Sequence, residues 1–172
     1  GEAMPHLSLH LLGTFEALLD GKPITTFESV KSQALLAYLA LEPGRPHSRL
    51  RLAGLLWPER PDATARANLR NALSSLRLAI GDRGADPAPP EASAVLLVTR
   101  ETVQLNGASD CWIDVAAFQA LLRDGIDRGS VASLEDAISL YRGGLLEGFY
   151  VRESPVFEDW LLVIRDRLER QM

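Results

Sequence analysis

The amino-acid sequence predicts an α+β fold, and three observations lead to this prediction. Near the N-terminus, apolar and polar residues partly alternate around an Asp-Gly pair, which is typical of paired β-strands. The middle of the chain contains helical apolar stripes bounded by serines, glycines and prolines. Beyond residue 114, helical patterns dominate. A chain of 172 residues suits one large domain or two small ones.

The N-terminal segment LSLHLLGTFEALLDGKPI predicts a small antiparallel sheet. Asp20-Gly21 is a strong hairpin signal, because both residue types tolerate the positive φ of a tight turn. We expect strands near Leu7–Leu12, Phe15–Leu19 and Lys22–Ile24.

Two helices are predicted next, each beginning after a serine. In SVKSQALLAYLALEPG, Ser29 is the expected N-cap and Pro43-Gly44 ends the helix. In HSRLRLAGLLWPERP, Ser48 is the N-cap and Pro58 stops the helix. The side chains expected to be buried are Leu35, Leu36, Leu39 and Ala40 in the first helix and Leu52, Leu55 and Leu56 in the second.

The third predicted helix, Ala63–Ile80, begins a few residues after the second and closes at Gly81. At about 100° per residue, its apolar residues gather on one broad side that should face the core. These residues are Ala65, Leu69, Ala72, Leu73, Leu76, Ala79 and Ile80. Two helices joined by a short turn, the second of them basic, form the helix-turn-helix arrangement.

A β-rich pair ends the first predicted domain, and helices form the second. GADPAPPEASA has no periodic pattern and predicts a loop, after which VLLVTRETVQLN predicts a wing hairpin bending near Arg100-Glu101. The three helices and this hairpin together describe a winged helix. From Asp114 onward, DVAAFQALLRDGI, SVASLEDAISLYRGGLL and SPVFEDWLLVIRDRLERQM predict helices. We expect domains over residues 4–109 and 110–172.

Charge is distributed unevenly along the chain. Residues 44–83 carry eight Lys/Arg against three Asp/Glu, whereas residues 84–172 carry eight against fifteen, in a protein of net charge -5. A basic segment in an acidic chain indicates an anionic partner for that segment. Phosphates would repel the acidic residues 110–172, so we expect this part of the chain to contact something other than DNA.

The polar face of the third helix is suited to reading duplex DNA. Its centre, opposite the apolar side, carries Ala67, Asn71, Ser74 and Leu78, with Ser75 slightly further round. Small side chains there allow approach to the floor of a major groove about 12 Å wide. Asn71 would present a bidentate amide to adenine, and Ser74 would meet either kind of base edge.

Arginines and hydroxyls border this face as candidate phosphate contacts. Arg66, Arg70 and Arg77 lie along one shoulder, from which they reach phosphates or guanine. Ser48 and Thr64, near the starts of two helices, would offer hydroxyls and backbone N–H groups to phosphates. A solvated helix face shows the same pattern, and this alternative stays open for an isolated helix. The preceding helix, the tight turn, the positive charge and the β-pair together favour DNA binding.

Other residues do not indicate catalysis, a metal or a cofactor. The chain contains no G-x-S-x-G elbow, P-loop or Cys/His nucleophile arrangement, so we expect no enzyme. Its single cysteine, Cys111, lacks partners for a CxxC metal site. No apolar run approaches the ~18 residues needed to cross a bilayer, which predicts a cytoplasmic protein without membrane contact. Packing or surface roles are expected for Trp57, Trp112, Trp160, His6, His10 and His47.

Two runs resemble a known family of regulators. RLRLAGLLWPERPDATARANLRNALSSLRLAIG resembles the DNA-binding domain of the SARP/bacterial transcriptional activator regulators. LYRGGLLEGFYVRESPVFEDWLLVIRDRLER is similar to their next segment, the bacterial transcriptional activator domain. The resemblance extends from Leu7 to about Arg170, with the elements in the expected order.

The resemblance implies a fold and a role. The fold is an OmpR/PhoB-type winged helix followed by an all-α segment of TPR-like hairpins. The role is sequence-specific activation of transcription, often at direct repeats, with double-stranded DNA and RNA polymerase as partners. We also expect a homodimer or tandem binding on DNA. The contact positions implied on the recognition helix, residues 63–80, are Arg66, Arg70, Asn71, Ser74, Ser75 and Arg77.

Two features depart from the family pattern. Family wings commonly have glycines at the hairpin tip, where φ is positive, whereas the tip here reads Thr99-Arg100-Glu101-Thr102. Arg100 is retained as a wing contact, although Glu101 would repel a phosphate. The chain also ends at Met172 inside an unfinished helix, which indicates a truncated fragment of a larger regulator.

A second hypothesis is a protein-interaction module. In that case the winged helix is structural, and the acidic helical half, with its LLEGF and FEDWL segments, binds a partner protein. The two hypotheses are compatible in one protein.

Overall fold

A computed structural model describes residues 6–83 and 94–171 of the chain and confirms the α+β prediction. Six helices and two small sheets make up the described residues. The strands are β1 Leu7–His10, β2 Glu16–Leu19, β3 Lys22–Pro23, β4 His47–Ser48, β5 Leu96–Val98, β6 Thr102–Leu105 and β7 Cys111–Ile113. The helices are α1 Val30–Leu41, α2 Arg49–Leu56, α3 Asp62–Ala79, α4 Asp114–Arg128, α5 Val131–Leu140 and α6 Pro155–Gln171.

These elements belong to two compact units, each formed from two separate stretches of chain. The first unit contains β1–β3, β7, α4 and α5, and the second contains α1–α3, β4–β6 and α6. The chain passes between the units after residues 23, 109 and 149. The expected division into domains 4–109 and 110–172 stays a prediction. Most of the expected loop at residues 84–94 lies outside the described residues.

The sheet of the first unit has the strand order β3-β2-β1-β7. Strands β1, β2 and β3 pair antiparallel, with Leu9 opposite Ala17, as the Asp-Gly signal predicts. Strand β7 pairs parallel with β1, with Leu7 opposite Cys111, so the sheet is mixed rather than purely antiparallel. Sequence reasoning missed β7, because three residues are too few to show an alternating pattern.

A buried carboxylate joins the end of β1 to the start of α4. Asp114, whose residue surface is 1% exposed, begins α4. Its Oδ1 and Oδ2 accept hydrogen bonds from the backbone N–H of Leu11 at 2.9 and 3.0 Å, and Oδ2 accepts one from Leu12 at 2.9 Å. Two backbone donors that would otherwise be buried without partners are thereby satisfied. The negative charge also lies at the positive end of the α4 dipole.

The second unit is built on the three helices that the sequence predicts. The Ser29 hydroxyl accepts a hydrogen bond from the N–H of Ser32 at 3.2 Å, and the Ser48 hydroxyl accepts one from Arg51 at 3.4 Å, so both expected N-caps are confirmed. All the side chains expected to be buried in these helices are buried. No helix in the described part of the chain is long and apolar enough to span a membrane.

Helix α6 packs in the second unit, against the ends of α1 and α2. The Ser154 hydroxyl, just before α6, donates to the Leu56 carbonyl at 2.5 Å. The Trp160 indole Nε1 donates to Glu42 Oε1 at 3.0 Å, and its ring centroid lies 4.7 Å from that of Tyr38. Sequence reasoning assigned this helix to the C-terminal half, because nothing in its own pattern reveals a partner about 120 residues earlier in the chain.

We expect Asp114→Ala to lower the free energy of unfolding by about 2–4 kcal/mol, because it leaves the N–H groups of Leu11 and Leu12 buried without acceptors. Urea unfolding followed by circular dichroism measures this change. Asp127→Ala removes an exposed carboxylate from the same helix and should change stability by less than about 0.5 kcal/mol. Equal effects of the two substitutions would show that the Asp114 hydrogen bonds do not hold β1 to α4.

Candidate nucleic-acid interface

A three-stranded sheet fixes the start of α2 against a hairpin. Its strand order is β4-β6-β5, and all pairs are antiparallel. In the two-residue strand β4, His47 lies opposite Val103 and Ser48 opposite Thr102. The next residue, Arg49, donates its backbone N–H to the Glu101 carbonyl at 2.8 Å and its Nε to the Thr99 carbonyl at 3.0 Å. The start of α2 and the hairpin tip are therefore held together.

The hairpin tip, residues 99–102, turns without glycine. The Thr99 hydroxyl accepts hydrogen bonds from the N–H groups of Glu101 at 3.2 Å and Thr102 at 2.9 Å. The Thr99 N–H donates to the Thr102 carbonyl at 2.9 Å. None of these four residues has a positive φ. A threonine side chain thus supplies the turn in place of the expected glycines, because it bonds the backbone two and three residues further on.

Helix α3 presents the polar face that its periodicity predicts. Thr64, Arg66, Arg70, Asn71 and Ser74 are exposed. The other two predicted contact residues are only half-buried on this face, namely Ser75 and Arg77. Leu78, at the end of the same face, is an exposed apolar side chain.

A cleft of about 490 Å³ lies between the starts of α2 and α3 and the hairpin tip, and we name it the arginine cleft. It brings together four of the nine predicted contact residues, from three different elements. Its lining consists of Ser48, Arg49, Leu50, Arg66, Leu69, Arg70, Arg100 and Glu101. Sequence reasoning missed Arg49. Its position directly after the N-cap Ser48, in a basic segment, was the available signal.

The arginine cleft carries a net positive charge, since four arginines and one glutamate line it. Among the described residues, Arg66, Arg70 and Arg100 have no carboxylate oxygen within 4.0 Å. Some arginines elsewhere do have such partners: Arg128 lies 3.3 Å from Asp124, and Arg170 lies 2.9 Å from Asp166. Glu101 is the acid that lines the cleft. Clustered arginines without partners raise the local concentration of anions.

A second cleft, of about 290 Å³, lies on the other flank of α3, and we name it the amide cleft. Its lining consists of Glu28, Ser29, Lys31, Trp57, Asn68, Asn71 and Ala72. Asn71 is thus separated from the predicted arginine contacts. The Lys31 ammonium lies 5.2 Å from the centroid of the Trp57 ring, and burial lowers the pKa of Lys31 below its usual 10.5.

Arg77 differs from the other two arginines of α3. Its side chain is half-buried, and its Nε is buried without a hydrogen-bond partner among the described residues. It lines neither cleft. An unsatisfied buried donor costs about 1–3 kcal/mol, so a polar group close to Arg77 would be favourable.

The tryptophans and histidines take packing roles. The Trp112 and His10 rings lie 5.2 Å apart, Trp160 packs on Tyr38, and His47 Nε2 lies 2.8 Å from the Glu42 carbonyl oxygen. Within residues 6–83 and 94–171, no group of three or more His, Cys, Asp and Glu side chains is arranged to hold a metal ion.

Comparison with known proteins relates the chain to a bacterial regulator. No protein-family model matches the sequence. The chain is 35% identical over 153 residues to the transcriptional regulatory protein EmbR of Mycobacterium tuberculosis, and equally to that of Mycobacterium bovis. These matches cover 89% of this chain and 37% of the relatives, so the chain spans well under half of their length.

The fold is also similar to that of a solved EmbR structure. Mycobacterium tuberculosis EmbR, in complex with a low-affinity phosphopeptide, matches with a TM-score of 0.72 and 25% sequence identity. The match covers 97% of this chain and 44% of EmbR. The mixed α+β architecture of six helices and two small sheets is therefore one that a transcriptional regulatory protein contains.

We expect Thr99→Val to raise the hydrogen-exchange rates of the Glu101 and Thr102 amides about fivefold, because valine lacks the acceptor that each amide uses, and each such bond contributes about 1 kcal/mol. Hydrogen exchange followed by NMR resolves these amides. Thr25→Val, at an exposed position, should leave both rates unchanged. Unchanged rates in Thr99→Val would show that the hydroxyl does not hold the tip.

Proposed function

We propose that this chain is the DNA-binding part of a transcriptional regulator, and that it reads double-stranded DNA in a sequence-specific manner through α3. In this proposal α1–α3 and the β5–β6 hairpin form an OmpR/PhoB-type winged helix. The observation that carries the proposal is the arginine cleft, where Arg66 and Arg70 of α3 and Arg100 of the hairpin lie together without an ion-pair partner among the described residues. The similarity to EmbR, a named transcriptional regulatory protein, supports it.

Base recognition is assigned to the centre of the exposed face of α3. Ala67 and Ser74 are small, so the helix can approach the floor of a major groove about 12 Å wide. The side-chain amide of Asn71 is exposed. Its NH₂ group can donate to N7 of adenine while its oxygen accepts from the adenine N6 amino group, which makes one bidentate contact. Ser74 and Ser75 follow one turn later as partners for either kind of base edge.

Phosphate binding is assigned to the border of that face. Arg66, Arg70 and Arg100 supply charge, and guanidinium groups match phosphate oxygens in a bidentate geometry. Ser48 and Thr64 lie near the N-terminal ends of α2 and α3, where backbone N–H groups and the helix dipole favour anions. Arg77 is retained as a predicted contact through its half-buried side chain, and its buried Nε would have to become accessible before a phosphate or base oxygen could reach it.

Activation and assembly complete the proposal. The resemblance to SARP regulators suggests contact with RNA polymerase and binding to direct repeats, as a homodimer or in tandem. Occupancy of two adjacent sites would raise the avidity of a weakly binding module without new contacts to DNA. Residues 110–172 carry seven Lys/Arg against twelve Asp/Glu, which makes that part of the chain a poor DNA ligand. We assign it to protein contacts.

A protein-interaction module is the second candidate function, and exposed apolar side chains favour it. Ile126 of α4 and Val131 and Ile138 of α5 are 69%, 66% and 72% exposed. A contiguous exposed apolar patch marks a protein-binding surface, and this candidate requires these three side chains to form one. The solved EmbR structure contains a phosphopeptide, but this chain matches only 44% of that protein. If no duplex binds, this candidate replaces the first.

We expect Arg66→Ala and Arg70→Ala each to reduce the slope of log affinity against log salt concentration by about one unit, because each removes one phosphate contact. Duplexes selected from a random pool would be measured by fluorescence anisotropy across salt concentrations. Arg170→Ala is the control, since it removes the same charge from an exposed side chain already paired with Asp166. A selection that yields no bound duplex, or slopes unchanged in both variants, would contradict the proposed function.

We expect Asn71→Ala to relax base preference at one position of the site by about 1–3 kcal/mol, with little change in the salt slope. Repeating the selection with the variant measures this preference. Asn68→Ala, three residues earlier and half-buried, serves as the control and should keep the preference. If Asn71→Ala instead weakened binding to all sequences equally, Asn71 would contact the DNA backbone rather than a base.

A further inference from the structure

We infer that Lys31 of α1 contacts the phosphates of the DNA strand opposite the one that faces the arginine cleft. This inference rests on the proposed function, because it requires α3 to lie in the major groove. It adds a second element, α1, to the DNA interface and assigns a role to the amide cleft. Neither the charge pattern of α3 nor the hairpin indicates such a contact.

The two clefts lie on opposite flanks of α3. At about 100° per residue, Ala67 and Ser74 mark the centre of the exposed face. Arg66 and Arg70 lie to one side of this centre and line the arginine cleft. Asn68 and Asn71 lie to the other side and line the amide cleft.

A helix in the major groove lies between two phosphate backbones. The groove is about 12 Å wide, close to the diameter of a helix with its side chains, so each flank faces one wall. The arginine cleft supplies cations to the first wall. On the second flank, α3 itself offers no cation, and the side chains with which it lines the cleft are the neutral Asn68, Asn71 and Ala72. A cation for the second wall must therefore come from another element.

Lys31 is the cation that lines the second flank. Its Nζ lies 5.2 Å from the centroid of the Trp57 ring, and Trp57 is only 9% exposed, so the ring provides a fixed support. Among the described residues, Lys31 has no carboxylate oxygen within 4.0 Å. Its hydrogen-bond donors are thus not committed to an ion pair.

Both acidic and basic side chains surround Lys31, and the acidic ones oppose a phosphate contact. Glu28 lines the same cleft, and Glu153 and Arg60 are close enough to influence Lys31 electrostatically. Glu28 would repel a phosphate that entered the cleft. The phosphate is therefore expected at the rim, where the flexible lysine reaches it and the exposed Glu28 carboxylate can turn into solvent. Glu28→Gln should accordingly increase affinity.

Lysine footprinting provides a direct test, because the chain contains only two lysines, Lys22 and Lys31. The full chain would be acetylated with an amine-reactive ester, once alone and once with a saturating concentration of the selected DNA duplex. Mass spectrometry would then measure the acetylated fraction of each lysine. We expect DNA to protect Lys31 at least fivefold and to leave Lys22 of β3 unchanged. Equal modification of Lys31 in both samples would overturn the inference.

Substitution of Lys31 distinguishes an ionic contact with a phosphate from mere shielding of the lysine by bound DNA. Lys31→Met should reduce the salt slope by about one unit, Lys31→Arg should keep it, and Lys22→Met is the matched control with no change. An unchanged slope in Lys31→Met overturns the phosphate contact even if Lys31 is protected. If Arg66→Ala and Arg70→Ala lower the slope while Lys31→Met does not, this inference fails and the proposed function stands. If none of the three lowers it, both fail.

Discussion

The pairing of the two-residue strand β4 with β6 is the constraint on which the candidate interface depends. It places the N-terminal end of α2 beside the hairpin tip, and Arg49 adds bonds to two tip carbonyls. Helix α3 packs closely on α2, so Arg66 and Arg70 of α3 also lie beside the hairpin tip. Without this pairing, Arg100 and Arg66 would belong to separate surfaces. A small number of backbone hydrogen bonds thus determines which charges act together.

Local patterns in the sequence predicted the elements that depend on neighbouring residues. The caps Ser29 and Ser48 and the buried side of α3 follow from interactions within three or four positions, and the structure has them where expected. The hairpin tip at residues 99–102 was located for the same reason.

Features that depend on distant residues could not be predicted. Strands β4 and β7 have two and three residues, too few for any period, and each exists only because a partner strand lies beside it. The amide cleft combines Lys31 with Asn68 and Asn71, which lie about forty positions later in the chain. The part of the candidate site that lies on α3 could therefore be predicted from the sequence. The residues that other elements contribute could not, because their positions depend on how the helices pack.

Helix α6 is part of the compact unit that contains α3, although it lies far from α3 in the sequence. The Ser154 hydroxyl and the Trp160 indole satisfy groups at the ends of α2 and α1, and Phe157 is fully buried beside them. The stability of residues 24–109 is consequently not a property of those residues alone. A ligand, modification or protein that displaced α6 would alter the population of the folded three-helix core, and by thermodynamic reciprocity DNA on α3 would strengthen the hold on α6.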